Sequence, residues 1–344
     1  LSVIASNAFV NLTILEELDI SFNRFGSVPR IGEALGMTLK ILNLGRNRIS
    51  SLDINSFYGF AVLKSLTLGY NGITSVGEYT FKESPALEHI SMGNNPYTSL
   101  PEQVFNNLTN LTSLYLQGTK LTTLPFLNLE KLTTVSVSWV STLETIHNDT
   151  FKGATNLRTL KFKTSKLTDI AFLETGYTPN IEYLEMGDNL GLTNISMNIF
   201  LILKKLRDVN LDSMAMKEFP DFYDRSQMSR LYINYNQIAN LTAAQFSGFS
   251  RLSQLYFKYN LLTTFPNVHF PLLKELHLSG NQLTSFIDLS NLPWIQNLYL
   301  DNNNLTNIPN IQVAKNLVGF RIGHNNITKV PDENLQGMSQ LREF

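Results

Sequence analysis

The sequence predicts an α/β solenoid, a curved horseshoe with a parallel β-sheet on its concave face and loops or short helical turns on its convex face. Three observations predict it: an apolar spacing that recurs along the whole chain, a polar residue at a fixed place after each apolar triplet, and an aromatic signal on the return path. The spacing is clearest in LKELHLSGNQL, residues 273–283, where Leu273, Leu276, Leu278 and Leu283 are apolar and Asn281 is the polar residue. The same spacing starts at Leu15, Leu39, Leu63, Leu87, Leu111, Leu132, Leu157, Ile181, Leu206, Met228, Leu252, Leu273, Ile295 and Leu317, with a fifteenth, incomplete start at Leu341. Successive starts lie 21 to 25 residues apart, a period that marks one structural unit repeated.

The first half of each unit alternates, as in Leu114, Tyr115, Leu116, which predicts a short strand with one face buried. Stacking the units sets these strands side by side, about 4.8 Å apart, in one parallel sheet. The rest of each unit must return to the next strand and so forms the outer wall. Several units carry there a Phe six residues before the next start, at Phe9, Phe57, Phe81, Phe105, Phe151, Phe200 and Phe246, and this predicts a buried Phe stack. A bulky return makes the outer edge longer than the inner, which curves the array with the sheet inside.

The polar residue follows each strand and needs its own account, because an unpaired buried amide costs roughly 1–3 kcal/mol. An Asn amide can bond main-chain groups of its own loop and of the neighbouring unit, which predicts a ladder at Asn23, Asn47, Asn71, Asn95, Asn189, Asn236, Asn260, Asn281, Asn303 and Asn325. Four units break it, with Thr119, Val140, Ser165 and Met214 at that place. Two nearby units carry an extra residue after the strand, so about 111–220 is expected to be the irregular middle of the array.

One solenoid domain over 1–344 is expected, since each repeat needs only its neighbours. Leu1, Ile4, Phe9 and Leu12 already occupy second-half positions, so the chain is expected to be a segment with partial repeats at both ends and no capping modules. Lys and Arg number 27 against 28 Asp and Glu, a net charge of −1, which excludes a nucleic-acid footprint. No apolar run is long enough to span a bilayer. With no cysteine, thiol catalysis and cysteine-bound metal are excluded.

The pattern LxxLxLxxNxL, repeated over essentially the whole chain, resembles the leucine-rich repeat family. The 24-residue unit with its outer Phe, as in LKSLTLGYNGITSVGEYTFKESPAL, resembles the typical subclass of extracellular receptors and adhesion proteins. About fifteen units with a broken Asn ladder in the middle are similar to Toll-like receptor ectodomains and to large secreted or surface proteins. The family's cysteine-rich caps are absent from the chain. The later units of 21 or 22 residues, such as LTNIPNIQVAKNL, resemble shorter subclasses also seen inside cells.

Catalysis needs converging groups, and the five His do not converge: His89, His277 and His324 fall on strand-face positions several units apart, and His147 and His269 fall in loops. No phosphate loop, metal spacing or catalytic triad occurs, so no enzyme activity and no cofactor are expected. What the repeats offer is a surface of outward strand residues. One column reads Asp19, Asn43, Thr67, Ser91, Tyr115, Ser136, Lys161, Glu185, Asn210, Tyr232, Tyr256, His277, Tyr299 and Arg321, with its aromatics gathered late. Tyr232, Tyr256, His277 and Tyr299, with Tyr235 and Tyr259 adjacent at the strand ends, are the candidate binding residues. The bland alternative is that the rings merely cover the sheet and stack on each other. A basic strand, Arg158, Lys161 and Lys163, precedes an acidic one, Glu182, Glu185 and Asp188, and cross-strand pairing is the simpler account of both.

Asn-x-Ser/Thr acceptors stand at Asn11, Asn107, Asn110, Asn148, Asn194, Asn240, Asn304 and Asn326. With 37 Asn and 57 Ser plus Thr in 344 residues, eight is near the chance number, but none occupies an outward strand position. Glycans there would leave the sheet bare. The expected function is a non-enzymatic recognition module, the ectodomain of a surface or secreted protein of innate-immune or adhesive type, binding a protein or glycan on its concave or lateral face. Dimerisation through the lateral face is a further possibility. The alternative is an intracellular scaffold or regulatory subunit.

Overall fold

The computed structural model describes residues 1–344 other than Ser6, 193–195, Met197, Ile287 and 331–336. By internal contacts the chain divides into two compact units, Leu1–Ile181 and Glu182–Phe344. The first contains β1 (Glu17–Asp19), β2 (Ile41–Asn43), β3 (Ser51–Leu52), β4 (Ser65–Thr67), β5 (Ser75–Val76), β6 (His89–Ser91), β7 (Ser113–Tyr115), β8 (Thr134–Ser136) and β9 (Thr159–Lys161). The second contains β10 (Tyr183–Glu185), β11 (Asp208–Asn210), β12 (Arg230–Tyr232), β13 (Gln254–Tyr256), β14 (Glu275–His277), β15 (Asn297–Tyr299) and β16 (Gly319–Arg321).

In the first unit β1, β2, β4, β6, β7, β8 and β9 pair in parallel in that order. In the second, β10 to β16 pair in parallel in sequence order. Every one of these strands occupies the third to fifth residues of a repeat, and like positions face each other, as in Asp19↔Asn43 and Tyr232↔Tyr256. The fold is a parallel-strand solenoid. Its core is the middle residue of each strand and the apolar residues flanking it: Leu42, Leu44, Leu66, Leu68, Leu276 and Leu278 are fully or almost fully buried. The pair β3 and β5 is a second, two-stranded sheet that the periodicity does not show, formed where two consecutive long returns run side by side.

Among the described residues helix is confined to single turns, such as Gly32–Leu35 and Ala243–Phe246. On the outer wall Phe57, Phe81 and Phe105 stack with centroids 5.5 and 5.8 Å apart. Phe151, Phe200 and Phe246 are equally buried but meet other rings, Phe172, Phe222 and Phe219. Phe9 departs from the expected buried stack: it is only half-buried, with the exposed Val10 and Leu12 around it.

The turn after each strand is the same throughout. The eighth residue of all fourteen repeats has positive φ, 52–58° in the twelve non-glycine cases and 67° and 72° at Gly118 and Gly280. Bulky residues rarely hold this conformation, so something must over-determine it. Part of the answer is a bond to the next repeat: Arg46 N–H donates to the Gly69 carbonyl at 2.9 Å, and Tyr235 N–H to that of Lys258 at 2.8 Å. The turn persists across 111–220, where the ladder is broken, and the boundary between the two compact units also falls there.

The ninth-residue asparagines supply the rest. Asn71 Oδ1 accepts from Ile49 N–H at 3.0 Å, and its Nδ2 donates to the carbonyls of Leu44 and Leu68, both at 3.0 Å. Asn47, Asn95, Asn260, Asn281, Asn303 and Asn325 repeat this triple arrangement, each accepting from the preceding repeat and donating to carbonyls of both repeats. Asn236 accepts from both Met214 and Met216. Asn189 donates to Met186, and Asn23 donates to Ile20 and Ser21.

Where the ladder breaks, other groups fill in. Thr119 Oγ1 donates within its own loop, to the Leu116 carbonyl 2.9 Å away. The Met92 carbonyl, which an asparagine at 119 would also have bonded, accepts instead from the buried Tyr97 hydroxyl at 3.2 Å. Burial pushes the Tyr97 phenol upward in pKa, a hydrogen bond with Thr119 opposing it, so the hydroxyl stays protonated and able to donate. Val140 is fully buried, and Thr142 Oγ1 two residues later donates to the Leu121 carbonyl at 2.8 Å.

A second asparagine series, absent from the apolar pattern, runs along the opposite strand ends. Asn110, Asn156, Asn180 and Asn316 each donate Nδ2 to a carbonyl of the preceding repeat, Pro85, Glu130, Thr155 and Pro293, at 2.7–3.3 Å.

Asn260→Ala takes their partner from the Ile238 N–H and the Ile233 carbonyl in a buried turn, and is expected to lower stability by about 1–3 kcal/mol. The exposed Asn307→Ala should stay within about 0.5 kcal/mol of the parent. Urea unfolding midpoints of both variants check this; equal midpoints would mean that the Asn260 amide contributes no net stability.

Candidate binding surface

The parallel register of β12, β13, β14 and β15 places Tyr232, Tyr256, His277 and Tyr299 opposite one another. Strand spacing of about 4.8 Å is close to the stacking distance of flat rings, and the four side chains form one continuous stack. Their centroids are 4.5, 4.3 and 4.2 Å apart in order, with planes within 20° of parallel. The stack is closed at one end by Arg321, whose guanidinium lies 5.2 Å from the Tyr299 ring. Tyr256 Oη donates to Glu275, and Tyr232 Oη lies 3.4 Å from Gln254 Oε1. Arg321 is paired with Glu343, and Arg230 with Asp208.

His277 is thus a ring inside the stack and only 9% exposed, not the solvent-facing contact residue its column position suggested. Both its faces are covered by tyrosine. Burial first, then the charge of Lys258, push its pKa down to about 4, with Glu275 opposing from 3.7 Å. Nδ1 is buried without a hydrogen-bond partner among the described residues. The neutral imidazole therefore stacks as a flat, uncharged ring at neutral pH. Burial likewise raises the Tyr232, Tyr256 and Tyr299 phenols, so the four stacked rings are uncharged there.

A second pair stands at the turn. Tyr235 and Tyr259, eighth residues of consecutive repeats, stack at 4.8 Å and 12°. Tyr259 lies over Gly280: a Cβ there would come within 2.4 Å of the Tyr259 ring, so the next repeat offers a bare backbone for the ring to cover. Tyr235 is 56% exposed and Tyr259 47%, against intermediate exposure for Tyr232, Tyr256 and Tyr299. The candidate residues thus separate into a largely self-covered stack and an exposed pair. A run of rings at one offset in consecutive repeats signals the stack in sequence; the left-handed turn that projects the pair, and the burial of His277, have no such signal.

The charged strands are engaged: Glu182 pairs with Arg207 at 3.5 Å within the second unit. Asn11, Asn107, Asn148, Asn240, Asn304 and Asn326 are exposed. Asn110 is half-buried, its Nδ2 donated to Pro85 and its Oδ1 bound by Lys131 Nζ at 2.8 Å, and Asn194 lies outside the described residues. Among the described residues no group of three or more His, Cys, Asp or Glu is placed to hold a metal ion, and no helix is long and apolar enough to cross a membrane.

A strand, a left-handed turn and an asparagine bonded to two repeats, recurring at this spacing, define a leucine-rich repeat, and the chain belongs to the leucine-rich repeat family. The model of the BspA type leucine rich repeat region matches it in six copies over residues 36–157 and 119–221, and a further leucine rich repeat model matches residues 226–283. No curated protein sequence matches the chain. Among solved structures, a leucine-rich repeat protein of Leptospira interrogans is 22% identical, with a TM-score of 0.76 over 98% of this chain and 97% of that one. Toll, in its complex with Spatzle from Drosophila, is 22% identical, with a TM-score of 0.66 over 100% of this chain; the chain spans 45% of the Toll chain's length. An internalin of Listeria monocytogenes is 19% identical, with a TM-score of 0.63 over 96% of this chain and 86% of that one. At such identities these likenesses show the fold. Leucine-rich repeats serve generally as protein-interaction modules, and nothing in the structure points to catalysis.

Burial of neutral His277 links stability to pH. Its folded pKa lies below the unfolded value of 6.5, so its contribution is fully present above 6.5 and is lost as pH falls toward about 4, where the unfolded chain takes up a proton and the folded one does not. Urea midpoints measured across this window should fall for the parent and fall less steeply for His277→Gln. Identical slopes would show that the ring titrates as an exposed histidine does.

Proposed function

We propose that the chain is a non-enzymatic recognition module, the ectodomain of a surface or secreted protein of innate-immune or adhesive type, which binds a protein or glycan through the tyrosine face of its second unit. The observation that carries the proposal is the Tyr235–Tyr259 pair. Each ring is about half exposed in a left-handed conformation that bulky residues rarely adopt, so the fold keeps large apolar area in water at a conformational cost. Tyrosine combines wide contact area, a hydroxyl and few torsions to immobilise, which suits an interface anchor. The neutral stack beside it supplies a rigid, preorganised platform.

A panel of surface proteins, secreted proteins and glycans offered to the immobilised chain would supply a ligand. Against it Tyr259→Ala is expected to weaken binding by about 2 kcal/mol, near thirtyfold, with an unchanged urea midpoint. Tyr256→Ala, within the stack, should lower stability as well. A ligand that binds the Tyr235→Ala/Tyr259→Ala/Tyr299→Ala protein as tightly as the parent would overturn the assignment of this face.

The short outer returns of the later repeats favour the second reading, an intracellular scaffold or regulatory subunit. Glycosylation separates the two. In protein isolated from its native source, glycopeptide mapping should find glycans at some of Asn107, Asn148 and Asn304, whose side chains are exposed, and none at Asn110, whose amide is held between repeats. Native protein bare at every acceptor would favour the intracellular reading.

A further inference from the structure

In the first unit the eighth residues Phe22, Arg46 and Tyr70 form a sandwich. The Arg46 guanidinium carbon lies 5.1 Å from the Phe22 ring centroid and 4.1 Å from that of Tyr70. All three hold left-handed φ values, 52°, 54° and 56°, and the two rings are 76% and 52% exposed. Held between the two rings, the guanidinium makes no hydrogen bond or ion pair with any described residue. A fixed fork of N–H donors with no acceptor is the arrangement that recognises a planar anion.

Beside the sandwich runs a groove of about 210 Å³, lined also by Gly45, Gly69, Gly93, Thr67, Ser91 and Gln117. Three consecutive repeats thus have glycine at the seventh position. The fold requires it only at Gly93, where a Cβ would meet the Gln117 carbonyl oxygen at 2.6 Å. At Gly69 a Cβ would come no nearer than 3.4 Å to its neighbours, and at Gly45 its nearest atom would be Asn43 Oδ1 at 3.1 Å. Glycine recurs there at Gly187 and Gly323, while the repeats that follow these three carry Gln117, Ser138 and Lys163. The effect of Gly45 and Gly69 is therefore to leave the groove floor open. Thr67 and Ser91 bring hydroxyls to it, and Gln117 Oε1 is a buried acceptor without a donor among the described residues.

We propose that this groove binds an acidic saccharide, its carboxylate paired with the edge of Arg46 and its hydroxyls bonded to Thr67, Ser91 and the Gln117 amide. The C–H face of a sugar ring suits the exposed Tyr70 ring. An acidic peptide fits less well, because extended peptides gain affinity from a free strand edge, and β2, β4, β6 and β7 are hydrogen-bonded to neighbours on both sides. None of the tyrosine-face residues takes part, so the site stands or fails independently of the function proposed above.

Calorimetric titration with trigalacturonate, hyaluronan tetrasaccharide and sialyllactose, beside neutral maltotriose and hexaglutamate, tests the assignment. At least one acidic sugar should bind saturably and about tenfold or more tighter than maltotriose. Arg46→Gln should weaken it about tenfold or more. Gly69→Gln, which the backbone accommodates, should fill the floor and weaken binding similarly with an unchanged thermal midpoint, and it serves as the test should Arg46→Gln not fold. Absence of binding by all three acidic sugars, indifference to both substitutions, or tighter binding of hexaglutamate than of every sugar would overturn the proposal.

Discussion

Everything in this molecule depends on how the chain leaves a strand. A three-residue strand buries little by itself, and its value lies in being repeated in register. Register is set by the reversal that follows: a left-handed eighth residue, clamped by its N–H to the next repeat, and a ninth-residue amide bonded to the loops of two repeats. The reversal is a polar device buried against an apolar core, so it is tolerable only when fully bonded. Each repeat completes the bonding of its neighbour, and neither could form the turn alone.

This division of labour explains how repeats of different length share the parallel sheet of each unit. Starts 21 to 25 residues apart all place the strand at the same offset, because the strand and its reversal carry the register and the outer return only closes the path. The returns accordingly vary, with a two-stranded sheet at β3 and β5, ring stacks at Phe57, Phe81 and Phe105, and mixed aromatic clusters at Phe219 and Phe222. The same rule creates the exposed surfaces. A left-handed residue projects its side chain from the rim, so aromatic choices at Phe22, Tyr70, Trp139, Tyr235 and Tyr259 become exposed rings without disturbing the core.

The strands were legible in the sequence because burial alternates along them with the period of the repeat, and each of the fourteen lies at the offset the apolar spacing predicts. The Phe signal was legible for the same reason, except at Phe9, which has too little around it to be buried. Less legible was whatever depends on contact between like positions of different repeats. The column of Tyr232, Tyr256, His277 and Tyr299 could be read, yet the neutral, enclosed state of His277 follows from ring spacing and burial, which a linear pattern does not carry. Arg46 between Phe22 and Tyr70, and the strand-end series from Asn110 to Asn316, recur at repeat positions that the apolar spacing leaves variable, so that spacing does not mark them.

The asparagine ladder has a chemical consequence as well as a mechanical one. Asn71 is followed by Gly72, the pairing most prone to spontaneous deamidation, in which the glycine nitrogen, losing its proton, attacks the side-chain carbonyl carbon and expels the amide nitrogen as ammonia to close a succinimide. Here the Asn71 amide is tied to Ile49, Leu44 and Leu68, and the Gly72 N–H is donated to the Ile49 carbonyl at 3.0 Å. Nucleophile and electrophile are both held by the preceding repeat, away from the rotations that ring closure requires. The interactions that keep the repeats in register therefore also slow the chemical ageing of the chain at its most labile asparagine, and ageing there would begin with local opening of the array.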